Sequence, residues 1–78
     1  MAMIQLERIK TKVGRIFLEK NKEKKVRIYS DQWGSYWRSN RCGYTDKKEE
    51  AGIYTFEDAF DASGHCGPEK HILYEFVK

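Results

Sequence analysis

The sequence predicts an α+β domain, a small antiparallel sheet with one or two packed helices, and three stretches carry that expectation. Val26 and Ile28 alternate with Arg27 and Tyr29, and Ile72, Tyr74 and Phe76 alternate with Leu73, Glu75 and Val77. A period of two is the pattern of a strand. Between these segments, "TFEDAFDAS" opens on a hydroxyl residue followed by acids, as helix starts do. At 78 residues the chain is expected to form one domain, 1–78, near the lower limit of what a single apolar core stabilises.

Taken in order, the first twenty residues support two readings. Leu6, Ile9, Val13 and Ile16/Phe17 fall three or four apart and line one face of a helix, although Gly14 and the β-branched Thr11 and Val13 weaken it. The competing reading is a hairpin, with strands Arg15 to Glu19 and Lys25 to Tyr29 around the polar turn "KNKEK". The helix is taken first.

A strand at Lys25 to Tyr29 is followed by a second at Gly34 to Arg38. If the chain is extended from Trp33 onward, Trp33, Ser35 and Trp37 share one face while Gly34, Tyr36 and Arg38 share the other. Both indoles are therefore expected in the core, which leaves Tyr36 and Arg38 for solvent or a partner. Asp46, three residues before Glu49, reads as a capping box for a short helical turn that Gly52 would end in a left-handed conformation. Thr55 caps a helix at Phe56 to Ala62, with Phe56, Ala59 and Phe60 inward. After a loop at Gly64 to Pro68, the closing strand Ile72 to Val77 has apolar residues on both sides, which places it inside the sheet.

Composition narrows the function classes. With 40% hydrophobic and 35% charged residues the chain reads as a folded soluble domain. The opening "MAMIQLERIK" lacks the charged, apolar and small-residue segments of a leader, and no apolar run could span a bilayer, so a cytoplasmic protein with no membrane contact is expected. Residues 1–45 carry eleven Lys/Arg against four Asp/Glu, and residues 46–78 carry four against eight. Such asymmetry suits a weak nucleic-acid binder and equally a domain whose halves attract each other.

Chemistry has little foothold. Cys42, His65, Cys66 and His71 number four, but adjacent His65 and Cys66 and a solitary Cys42 are poorly spaced for zinc, so free thiols and no metal or cofactor are expected. The glycines at 64 and 67 lack the Lys-Ser/Thr of a phosphate loop, and no catalytic constellation is written in the sequence. An RNA-cleaving toxin using His71, Tyr36 and Arg38 is the third functional reading. The aromatic and cationic side chains Tyr29, Tyr36, Arg38, Arg41, Tyr44, Lys47 and Lys48 are the candidate partner-binding residues. Tyr and Arg dominate many protein interfaces, while bases stack on Tyr and phosphates follow cations, so a host protein and a nucleic acid both fit.

One resemblance bears on the choice. Trp37-Arg38, then "GYT" at 43–45, "AGIYT" at 51–55 and "EDA" at 57–59, resembles a loose pattern in short phage and prophage proteins of unassigned function, over roughly half the chain. It implies a phage-encoded accessory protein, a class in which inhibitors of host defence or host enzymes are common, and it brings no catalytic residues. The expectation is therefore non-catalytic binding of a host protein, such as a defence or nucleic-acid-processing factor. A small nucleic-acid-binding domain is the alternative.

Overall fold

The computed structural model describes residues 3–77. Six strands form one antiparallel sheet: β1 (Met3–Gln5), β2 (Lys25–Ser30), β3 (Ser35–Trp37), β4 (Tyr44–Thr45), β5 (Tyr54–Thr55) and β6 (Ile72–Phe76). The strand order is β1-β6-β2-β3-β4, and β5 pairs with the other end of the β2 edge that β3 uses. Three helices, α1 (Leu6–Ile9), α2 (Lys12–Asn21) and α3 (Phe56–Ser63), complete an α+β domain. The predicted strands and helix thus form within a residue or two of their expected ends, and β6 is interior, between β1 and β2.

The core lies on one face of the sheet. Val26, Ile28, Ile72 and Tyr74 from β2 and β6 meet Leu6, Ile9, Phe56, Ala59 and Ala62 from the helices, all buried. Thr55 caps α3 as expected, its Oγ1 accepting from the Asp58 N–H at 3.1 Å. Phe56 and Ala59 point inward, and Phe60 is half-buried against the cluster.

Of the two N-terminal readings, the helix forms and the hairpin does not, but its phase breaks. Thr11 ends one helix and starts the next: its Oγ1 donates to the Arg8 carbonyl at 2.7 Å and accepts from the Gly14 N–H at 3.0 Å. After this restart Gly14 is the buried residue of α2, whereas Val13 is 77% and Ile16 53% exposed. The predicted apolar face is therefore correct for Leu6, Ile9 and Phe17, whose ring meets Phe56 and Phe76, and wrong for Val13 and Ile16.

The paired indoles also require correction. Residues 31–34 form a turn closed by the Trp33 N–H on the Ser30 carbonyl, with Gly34 at φ 63°, so the extended count cannot begin at Trp33. Trp33 is 60% exposed. Trp37, inside β3, packs against the core as expected. The Asp46–Glu49 capping box does not form either: Lys47 precedes the turn at Lys48–Glu50, and Thr45 Oγ1 accepts from the Lys47 N–H and donates to Glu50 Oε1. Gly52 is not left-handed. A Cβ there would lie 2.5 Å from Ser39 N and 2.8 Å from the Arg38 carbonyl carbon, so glycine is demanded by backbone approach.

Tyr74 anchors the core through its hydroxyl. Ser63 Oγ donates to the Ala59 carbonyl, so the Tyr74 Oη is the donor in the 2.7 Å bond to Ser63 Oγ. Burial pushes the Tyr74 phenol far above the usual tyrosine range. A raised folded-state pKa adds stability that is complete below the unfolded value of about 10 and is lost as pH climbs above it. Tyr74→Phe is accordingly expected to cost about 1 kcal/mol at neutral pH and to flatten the alkaline loss of stability. Urea denaturation of both proteins at several pH values above and below 10 checks this; an unchanged alkaline slope would contradict it.

Candidate functional site

The helices cover one face of the sheet, and the opposite face collects the most distinctive side chains. Residues paired across an antiparallel ladder share a face. Tyr29 stands opposite Tyr36 on one side and Leu73 on the other, and Glu75 stands opposite Arg27 and Met3. The rings of Tyr29 and Tyr36 meet edge to face with centroids 4.9 Å apart. Both are half-buried, as is Leu73.

Glu75 sits at the centre of this face and is 3% exposed. Two cations hold it: Arg27 Nη1 at 3.3 Å from across the ladder, and Lys48 Nζ at 3.2 Å from the turn at Lys48–Glu50. The Arg27 Nε is buried and has no hydrogen-bond partner. Burial, and next the Glu75 carboxylate, push the Tyr36 phenol up, so it is a neutral donor at physiological pH. The result is an amphipathic surface, two phenol rings and a leucine beside a compensated charge cluster.

The sheet divides the residues singled out from the sequence. Tyr29, Tyr36 and Lys48 come together on the open face. Arg38 lies at its margin, Nη2 on Glu50 Oε1 at 3.0 Å and Nε on the Tyr44 carbonyl at 3.1 Å. Lys47 is exposed beside it. Arg41 and Tyr44 lie elsewhere: Tyr44 pairs with Trp37 and so shares the helix-side face, and both line a hollow of about 240 Å³ with Trp37, Gly43, Ala62 and His65.

That hollow borders a closely held loop. Asn40 and Arg41 are left-handed at φ 57° and 60°, and Gly43 follows at φ 91°. The Tyr54 hydroxyl stabilises the shape by donating to the Arg38 carbonyl and accepting the Arg41 N–H. Much of the "GYT…AGIYT" pattern is thereby explained by backbone geometry. Gly43 turns the chain, Thr45 bonds Glu50, Gly52 makes room for Ser39, Tyr54 pins the loop and Thr55 caps α3.

Cys42 and Cys66 are free thiols, and burial pushes the Cys66 thiol up, which keeps it protonated and a poor ligand or nucleophile. Among the described residues no three His, Cys, Asp or Glu side chains gather closely enough to hold an ion. No helix among them is long and apolar enough to cross a membrane. His71, a candidate catalytic residue in the toxin reading, uses its left-handed backbone to end the turn Pro68–Lys70.

Sequence reasoning missed Glu75, and with it the partner that holds Arg27. The signal was present: an acid in a strand with apolar residues on both sides needs a partner when buried. Compared with protein-family models, with curated proteins and with solved structures, the chain matches none.

Proposed function

We propose that the chain is a non-catalytic binding protein of phage or prophage origin, acting in the cytoplasm, whose open sheet face engages and inhibits or redirects a host protein. The observation that carries this reading is the Tyr29–Tyr36 pair beside the buried Glu75 with its two cations. A buried ion cluster adds little net stability relative to apolar side chains of the same size, so its presence is better understood through recognition. Rigid phenol rings that are already packed supply contact area with few rotors left to freeze.

The same geometry weighs against the nucleic-acid alternative. Phosphate binding draws on cations that can exchange small counterions for phosphates. Arg38, Arg27 and Lys48 are instead held by Glu50 and Glu75. What favours the alternative is the exposure of Trp33 at 60% and Tyr44 at 52%, which offers rings for base stacking away from the open sheet face.

Affinity capture from host lysate, with and without nuclease, separates the two. One protein should be retained irrespective of nuclease and moderate salt, and Tyr36→Ala should weaken its binding by about 2 kcal/mol, roughly thirtyfold in Kd. Trp33→Ala should leave it unchanged. Retention that vanishes with nuclease, or that depends on Trp33 and not on Tyr36, would replace this reading with the nucleic-acid one.

A further inference from the structure

We propose that the hollow between β1 and α2 is a docking groove for an acidic amphipathic helix of a protein partner. This surface meets the open sheet face at Met3 on the β1 edge and lies on the far side of the sheet from Tyr36. Two adjoining hollows of about 380 and 440 Å³ share Ile4, Arg8 and Phe17, with Val13 and Gly14 walling one and Met3 and Phe76 the other. The restart of the helix at Thr11 turns Val13 outward to 77% exposure, with Ile16 at 53% and Met3 at 42%. Val13 and Met3 thereby wall adjoining hollows that share Ile4 and Phe17, an apolar concavity open to a partner.

Charge specifies the occupant. Arg8 is the charged residue lining both hollows, and Lys12 and Lys20 stand one helical turn to either side of Ile16. Of the five Lys/Arg in residues 6–21, Lys10 is bonded to the Cys66 carbonyl at 2.9 Å and Arg15 lies over the Phe60 ring, which leaves Arg8, Lys12 and Lys20 against two Glu. Both glutamates are already engaged, Glu7 with Lys10 at 3.6 Å and Glu19 with Lys22 at 3.2 Å. The apolar wall of Ile4, Val13 and Phe17, with Arg8 beside it and Lys12 and Lys20 along the same helix, complements a helix whose apolar stripe is flanked by Asp and Glu. A second copy of the chain would set the same cations against these. A lipid surface is matched by a protruding apolar wedge, whereas Ile4, Val13 and Phe17 wall a concavity.

The test uses the full chain and a synthetic amphipathic helix with Leu at i, i+3, i+4 and i+7 and Glu on the flanks, followed by calorimetry. A peptide with Lys in place of Glu, vesicles of phosphatidylserine and phosphatidylcholine, and sedimentation of the chain alone run beside it. The acidic peptide should bind. Val13→Glu, at a site too exposed to disturb the core, should weaken it by at least roughly tenfold. Arg8→Glu combined with Lys12→Glu should shift the preference to the Lys peptide, and Tyr36→Ala should leave binding unchanged, which separates this groove from the sheet face. The proposal is overturned if the acidic peptide does not bind or both peptides bind alike. It is equally overturned if Val13→Glu has no effect with the circular dichroism spectrum intact, if vesicles bind in place of the peptide, or if the chain forms a dimer that Val13→Glu dissociates.

Discussion

Replacing Gly14 with alanine is expected to destabilise the domain by about 3 kcal/mol, although alanine is the better helix former by about 1 kcal/mol. The two effects oppose each other, and geometry decides the sign. A Cβ on Gly14 would stand 2.6 Å from the Ile9 Cα and closer still to the Arg8 carbonyl oxygen. These are backbone atoms of α1, which cannot swing aside as a side chain can. Relief requires α2 to lift from α1, and that movement would loosen Leu6 and Ile9, both buried, and the edge contacts of Phe17 with Phe56 and Phe76. For a domain of this size the melting temperature should fall by about 15 °C. Thermal unfolding followed by circular dichroism measures it. A Gly14→Ala protein as stable as its parent would mean that α1 and α2 do not cross at this residue.

The same glycine shows why part of the fold was legible and part was not. From sequence, Gly14 counts against a helix; in the fold it is what lets α2 sit on α1. Periodicity located β2, β6 and α3 because each is set by local alternation or by a cap within one turn of the chain. It misjudged α2 because the Thr11 cap resets the helical phase between Ile9 and Val13, and a count that runs through the cap carries the wrong face forward. The indole pairing failed for the equivalent reason in a strand, where the left-handed Gly34 separates Trp33 from β3.

The site obeys the same logic. Tyr29 and Tyr36 are joined by a hairpin register that a turn at 31–34 makes short-range, so their meeting is within reach of sequence reasoning. Arg41 and Tyr44 lie beyond Trp37, where the chain leaves the strand through two left-handed residues whose geometry depends on Tyr54. Their separation from the other candidates is a tertiary fact. The Glu75 cluster is likewise non-local: Arg27 is 48 residues from Glu75 in the chain.

Glu75→Ala is expected to cost about 3 kcal/mol. The carboxylate is nearly inaccessible, and removing it leaves two cations facing each other on the same sheet face. The cost stays at the lower end of that for a broken buried pair because Lys48, 39% exposed, can turn to water, whereas Arg27, at 19%, retains a charge that is poorly solvated and already lacks a partner for its Nε. Removing the charges on both β-strands together should reverse most of the loss. Arg27→Met with Glu75→Leu replaces the pair by apolar side chains of similar volume, and Lys48, at 39%, keeps its contact with solvent. That variant should unfold in urea within about 1 kcal/mol of the parent, because the pair's mutual attraction and its desolvation penalty nearly cancel. If the cluster serves the proposed recognition, the double variant should remain folded and still lose any protein that the parent retains in the affinity capture. A double variant that unfolds like Glu75→Ala would make the cluster a structural necessity, and one that binds undiminished would leave Tyr29 and Tyr36 as the contact surface without any contribution from the charges beneath them.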